Sequence, residues 1–104
     1  SRPVRVIEPK TDGCAQLNIA FEDGRFAALN CFAHGSPFLM NVSLDSKTET
    51  IEVKSDYFGA FIRALVRFFR TKRVEIPHEE TVAIMDVRGA GVKALERPGE
   101  WVEI

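Results

Sequence analysis

The sequence has few of the residues that usually carry chemistry. Its 104 residues include only two cysteines and two histidines, and no pair of them has the C-x-x-C or H-x-x-x-H spacing of a zinc site. Two cysteines cannot form a disulfide framework, so we expect a reduced, cytoplasmic setting. We therefore predict that the chain binds no metal and is poor in catalytic groups.

The sequence also lacks bulk charge and long apolar runs. Its net charge is −1, so the overall charge does not attract nucleic acid or an anionic membrane. No apolar run approaches the ~20 residues that cross a bilayer, and we find no signal-peptide pattern in the first residues given. The apolar fraction of 45% is typical of one globular domain. Because the chain begins with Ser1, we expect a piece of a longer protein.

Two helical patterns dominate the second half. A first helix is predicted over residues 56–73, with Asp56 as its cap and arginines opposite its apolar side. A second is predicted over residues 77–97, because Pro77 and two glutamates suit a helix start. The first helix has large apolar residues at helical spacing: Phe58, Phe61, Ile62, Leu65 and Phe69. We expect a sheet to cover that face. The second helix combines apolar and small residues: Val82, Met85, Val92, Gly89, Ala90, Gly91 and Ala94.

The remaining segments alternate as strands do, which predicts an α+β fold with a mainly antiparallel sheet of five or six strands and two helices packed on one face. Predicted strands span residues 3–8, 15–21, 26–32, 38–44, 51–53 and 101–104. A two-residue Asp23-Gly24 loop would place Phe21 opposite Phe26 and Ile19 opposite Ala28. The side chains then predicted to face the helices are Leu17, Ile19, Phe21, Phe26, Ala28, Phe32, Phe38, Met40, Val42 and Leu44.

The opposite face of this predicted sheet is nearly uncharged. Its members are Gln16, Asn18, Ala20, Ala27, Leu29, Cys31, Leu39, Asn41 and Ser43. Loss of charge is typical of the centre of a buried interface, so we predict that a partner subunit or another domain covers this face. The alternative is a mildly polar face in contact with water.

Several short motifs are explained more simply by the fold than by a catalytic or binding site. Residues 89–94 match the G-x-G-x-x-A form of a dinucleotide-binding turn, but no second strand with an acidic residue about 20 residues later can follow before Ile104. We interpret them as a small-residue helix.

A nucleophilic pair of Cys31 and His34 lacks an orienting third group. We expect the loop around His34 to place an exposed imidazole at one end of the sheet, either as part of a site or as a plain polar connection. The basic residues from Arg63 to Arg73 are typical of a solvated helix face.

From Phe32 to Ile104 the order of segments resembles the end of a Gfo/Idh/MocA-family oxidoreductase. The segments that carry the resemblance are His34-Gly35-Ser36-Pro37-Phe38, Asp56-Tyr57-Phe58, Phe61-Ile62-Arg63-Ala64-Leu65, Phe69-Arg70-Thr71, Ile76-Pro77-His78-Glu79-Glu80-Thr81 and Ala94-Leu95-Glu96-Arg97-Pro98-Gly99-Glu100-Trp101-Val102. They cover about two thirds of the chain and are patterns of helices and turns rather than catalytic signatures.

The resemblance implies the C-terminal substrate-pocket and oligomerisation domain of an NAD(P)-dependent enzyme acting on sugars, inositols or related polyols. It implies one domain over residues 1–104, homo-oligomers formed through the open sheet, and a separate N-terminal Rossmann domain that binds NAD or NADP. The family's glycine-rich turn, Glu-Lys-Pro segment and catalytic His/Asp helix have no counterpart here. No catalytic or cofactor-binding residue is therefore predicted, and the chain alone should be inactive. In such a domain substrate contacts are expected from exposed polar groups, for which Asn18, Asn30, His34 and Asn41 are the candidates. The alternative hypotheses are a free-standing dimeric binding module and a small Cys/His enzyme.

Overall fold

The structure is a computed structural model that describes residues 1–10, 14–32 and 35–104. Within those ranges it contains six strands and two helices, which confirms the α+β class and the antiparallel pairing. In chain order they are β1 (Pro3–Ile7), β2 (Ala15–Phe21), β3 (Phe26–Cys31), β4 (Leu39–Ser43), β5 (Thr48–Glu52), α1 (Tyr57–Thr71), α2 (His78–Glu96) and β6 (Trp101–Glu103). Every predicted element is present, with ends that differ by up to three residues.

The chain groups into two compact units. The first comprises Ser1–Ala33 with Ile76–Ile104, and the second is His34–Glu75. The six strands form two sheets rather than one, a four-stranded sheet of order β3-β2-β1-β6 in the first unit and the pair β4-β5 in the second. The single domain over residues 1–104 stays a prediction.

The hairpin of β2 and β3 corrects the predicted register. Ala20 pairs with Phe26 and Ile19 with Ala27, one residue away from the expected partners. The cause is the turn, in which Gly24 N–H donates to Phe21 O at 3.0 Å and Phe21 N–H donates to Arg25 O at 3.0 Å. This is a three-residue loop ending in a glycine bulge, with Gly24 at φ 85°, not the two-residue loop that Asp-Gly suggested.

Because side chains alternate along a strand, a one-residue shift exchanges the two faces of β3. Leu29 now lies opposite Leu17, on the side that faces α2. Phe26 and Ala28, predicted to face the helices, lie on the other side with Asn18. The exposed fraction of Phe26 is 61%, so its predicted place in the core was wrong.

The core of the first unit forms where α2 crosses the sheet. Val6 and Ala94 are fully buried and Ala90 is nearly so. Leu17, Ile19, Val87, Val102 and Ile104 pack around them. Small residues let α2 come close to the sheet: a Cβ on Gly91 would lie 2.8 Å from Leu17 Cδ1. The stripe Val82, Met85 and Val92 is exposed on the opposite side of the helix.

The second unit has no comparable core. Strands β4 and β5 pair only with each other, with Met40 opposite Ile51 and Val42 opposite Glu49. None of the described residues 35–75 is buried. Phe38, Met40 and Leu44 were predicted to join the core and are instead exposed, because their strand does not extend the four-stranded sheet. The expected covering of α1 was likewise wrong, since this helix buries none of its residues.

Candidate interaction surfaces

Helix α1 presents a row of large, exposed apolar side chains along one side. We define the α1 apolar face as Phe58, Phe61, Ile62, Leu65 and Phe69, which recur at helical spacing. The exposed fraction is 76% for Phe58 and about 60% for Phe61 and Phe69. Contiguous apolar patches of this kind usually mark a surface that binds another protein, a membrane or a ligand. The α1 apolar face is therefore the first candidate site.

Local chemistry explains why α1 is helical without tertiary support. The Asp56 carboxylate accepts from Gly59 N–H at 2.9 Å, which satisfies one of the amides left free at the helix start. At the other end Lys72 adopts a left-handed conformation with φ 56°, and its N–H donates to Phe68 O. Arg63, Arg67 and Arg70 occupy the side opposite the apolar residues. The helix is thus capped and amphipathic, as the sequence predicted.

An ion pair ties the end of α1 to the segment that follows. The Arg67 guanidinium donates two hydrogen bonds to the Glu75 carboxylate, with Nη2 at 3.0 Å from Oε2. These hydrogen bonds lower the pKa of Glu75 and raise the pKa of Arg67. Arg63 lies 3.8 Å from the Asp56 carboxylate. Two of the arginines on the polar side of α1 therefore already have carboxylate partners.

The β4–β5 hairpin has one polar and one apolar side. On the polar side the Thr50 hydroxyl donates to Asn41 Oδ1 at 2.9 Å, and the hydroxyls of Ser43 and Thr48 lie 3.0 Å apart. Leu39 shares that side, opposite Glu52. The apolar side carries Met40 and Ile51, which are 48% and 41% exposed. Like α1, this hairpin presents apolar side chains that are partly exposed.

A shallow cleft of 360 Å³ lies beside this hairpin, lined by Pro37, Phe38, Glu52, Val53, Lys54, Ser55 and Tyr57. Its polar groups are already engaged. The Tyr57 hydroxyl donates to Val53 O at 2.9 Å, and the Lys54 ammonium lies 2.9 Å from the Glu52 carboxylate. The Phe38 and Tyr57 rings meet edge to face at 6.1 Å between centroids. The cleft has no pair of groups arranged for acid–base chemistry.

The side of the four-stranded sheet away from α2 is the second candidate site, which we call the outer sheet face. In the observed register it carries Gln16, Asn18 and Ala20 from β2 with Phe26, Ala28 and Asn30 from β3. The Gln16 amide donates to Asn18 Oδ1 at 3.3 Å. Further along, the Arg5 guanidinium lies 4.4 Å from the centroid of the Trp101 ring. The charges of this face lie on β1 and β6, and its β2–β3 part is neutral.

The structure brings together only part of the predicted site. Asn18 and Asn30 share the outer sheet face, with Gln16 and Ala20. Ala27, Leu29 and Cys31 lie on the side facing α2, where the register shift has moved them. Leu39, Asn41 and Ser43 belong to the β4–β5 hairpin of the other unit. His34 and its neighbour Ala33 lie outside the described residues.

The sequence did not predict that both helices would expose apolar side chains. It indicated the apolar positions of α1 correctly, and we then assumed that a sheet must cover them. The available signal was the composition of α2, whose small residues suit close packing on a sheet, while α1 has large residues on one side only. In structural terms, Gly89, Ala90 and Gly91 lie inside α2, which confirms the small-residue helix. They do not form the strand–turn–helix that would fit a dinucleotide pyrophosphate.

Among the described residues, no cluster of three or more His, Cys, Asp or Glu side chains could hold a metal ion. None of the helices in the described ranges is long and apolar enough to cross a membrane. Comparison with family models, with curated proteins and with solved structures finds no match to this chain.

Proposed function

We propose that this chain is the C-terminal substrate-pocket and oligomerisation domain of an NAD(P)-dependent oxidoreductase that acts on a sugar, an inositol or a related polyol. The proposal is supported by the order of segments from Phe32 to Ile104, which resembles the Gfo/Idh/MocA family. NAD or NADP would be held by a separate Rossmann domain. The chain itself supplies surfaces, not catalytic groups.

The α1 apolar face is the observation that supports a role in assembly. With about 200 Å² for each whole phenylalanine side chain, its three phenylalanines expose on the order of 400 Å² of apolar surface. This is within the range of about 300–600 Å² for the largest patch on a typical monomer, and such patches are often functional. Covering them against a partner removes apolar surface from water at about 25 cal/mol per Å². Assembly with another protein surface would therefore stabilise this unit.

The outer sheet face is the proposed substrate side. Gln16, Asn18 and Asn30 present amide groups that both donate and accept hydrogen bonds, which suits the hydroxyl groups of a polyol. Asn41 belongs to the separate β4–β5 sheet of the second unit, so it is a weaker candidate. His34 remains a candidate from the sequence.

The proposal is tested first on the gene. The reading frame upstream of the Ser1 codon should encode a Rossmann domain with a glycine-rich turn. The full-length protein should then reduce NAD⁺ or NADP⁺ in the presence of a polyol panel, whereas the 104-residue chain should neither turn over substrate nor bind either nucleotide by calorimetry. A reading frame without a nucleotide-binding domain, or micromolar nucleotide binding by the chain alone, would contradict the proposal.

A second candidate function is a free-standing dimeric binding module. It is favoured by the neutral β2–β3 part of the outer sheet face. Such a face can bind a ligand without a catalytic domain. An independent start codon near Ser1, together with polyol binding by the isolated chain, would support this function over the oxidoreductase domain.

A further inference from the structure

We propose that two copies of this chain pair along the free edge of β3, extending the four-stranded sheet into a continuous eight-stranded sheet. Strand β3 is the end strand of its sheet. The inference does not depend on which reaction, if any, the longer protein catalyses.

The hydrogen bonds of the hairpin show which backbone groups point to that edge. Phe21 N–H donates to Arg25 O, so the pair Phe21–Arg25 is a hydrogen-bonded pair. Antiparallel pairs alternate between hydrogen-bonded and non-hydrogen-bonded, so the observed register makes Ala27 and Leu29 bond to β2. The N–H and C=O groups of Phe26, Ala28 and Asn30 therefore point away from β2, toward the open edge.

This edge lacks the features that normally keep a strand from pairing. Residues 26–32 contain no charge and no proline, whereas natural edge strands carry lysine, proline or a bulge, or are very short. The opposite edge, β6, is three residues long and includes Glu103. The unprotected edge of this sheet is thus β3.

Charge and symmetry favour a second copy as the occupant. Two β3 strands that run antiparallel around Ala28 place Phe26 opposite Asn30 of the other copy, and Ala28 opposite itself. No like charges face each other, because the nearest charged residue, Arg25, falls opposite Cys31 of the other copy. Phe26, which is 61% exposed, would be partly covered by Asn30 of the other copy.

The test compares the solution mass of the 104-residue chain with that of two edge variants, by light scattering over a concentration series. The wild-type chain should form a dimer. Ala28→Pro removes an N–H that points to the edge and leaves the bonds to β2 in place, so it should give a monomer with an unchanged circular dichroism spectrum. Ala28→Ser keeps the N–H and should stay dimeric.

A second variant keeps the test informative if proline disturbs the strand. Ala28→Lys places two ammonium groups opposite each other, so it should raise the dimer Kd by about tenfold at low salt, with partial recovery at high salt. A monomeric wild-type chain would overturn the proposal. So would dimers that persist in both Ala28→Pro and Ala28→Lys, or dimers that only Phe58→Asp in α1 dissociates.

Discussion

The two units of this chain form secondary structure equally well and bury it very differently. In the first unit, α2 lies on the four-stranded sheet and buries Val6, Ala90 and Ala94. In the second, none of the described residues 35–75 is buried, although α1 has the stronger separation of apolar and polar sides. Helix α1 has a cap and a clear apolar periodicity, but burial additionally requires a neighbouring surface of matching shape.

The difference also shows that amphipathicity and packing are separate properties. The side of α2 on the sheet consists of alanine, glycine and valine, which let the backbones approach. Its larger residues Ile84 and Met85 are 60% and 55% exposed. The large phenylalanines of α1 would contribute much apolar area once covered. The first unit therefore has a core of its own, whereas the second has apolar surface that a partner can cover.

The largest effect on stability is expected from a charge placed in the core of the first unit. Ala94→Asp buries an unpaired carboxylate at a fully buried site and should lower the free energy of unfolding by at least about 3 kcal/mol. Val92→Asp introduces the same group two residues away on the exposed side and should cost less than about 1 kcal/mol. Urea denaturation of both variants measures the contrast. Equal losses would mean that α2 does not pack in the orientation described.

Next in size is the effect of making the α1 apolar face polar. Phe58→Gln with Phe69→Gln should reduce binding of the dye ANS to roughly half, because it removes the two most exposed phenylalanines of α1. The unfolding free energy of the first unit should change by less than about 0.5 kcal/mol. Arg70→Gln, on the polar side of the same helix, is the matched control and should leave dye binding unchanged. A large loss of stability in the double variant would show that the face is already covered.

A smaller effect distinguishes two glycines of α2. A Cβ on Gly89 would meet no atom within 4 Å, so Gly89→Ala should stabilise the protein by about 0.5–1 kcal/mol through helix propensity. A Cβ on Gly91 would lie 2.8 Å from Leu17 Cδ1, so Gly91→Ala should lose most or all of that gain as Leu17 shifts. Thermal denaturation of the pair gives the difference. Equal stabilisation would show that α2 lies further from β2 than the structure has it.

The smallest effect concerns the exposed pair of Arg67 and Glu75. Because the hydrogen bonds from Arg67 lower the pKa of Glu75 in the folded chain, the pair stabilises the end of α1 above the ordinary glutamate pKa. That contribution is lost as the pH falls through the lowered pKa. Glu75→Gln should remove this pH dependence of helix content between pH 7 and 3, and Glu79→Gln is the control for loss of one charge. An unchanged profile in Glu75→Gln would contradict the pairing.

Much of the fold was predictable because it depends on local chemistry. A few neighbouring residues determine each of three features: the cap at Asp56, the alternation of β2 and the close packing of α2 through its small residues. The register of β3 was not predictable in the same way, because Asp23-Gly24 suits a two-residue loop and a three-residue loop with a bulge equally well. The choice moved Ala27, Leu29 and Cys31 off the predicted interface. Whether Leu39, Asn41 and Ser43 share a sheet with β2 depends on long-range pairing, which no local pattern encodes.

Hydrogen–deuterium exchange of the isolated chain tests the central claim most directly, because protection reports how much each helix gains from packing. The account predicts that amides in the middle of α1 exchange at least about tenfold faster than those of Ala90, Gly91 and Ala94 in α2. Equal protection of the two helices would contradict it, since α1 would then be packed as firmly as α2 in the chain alone.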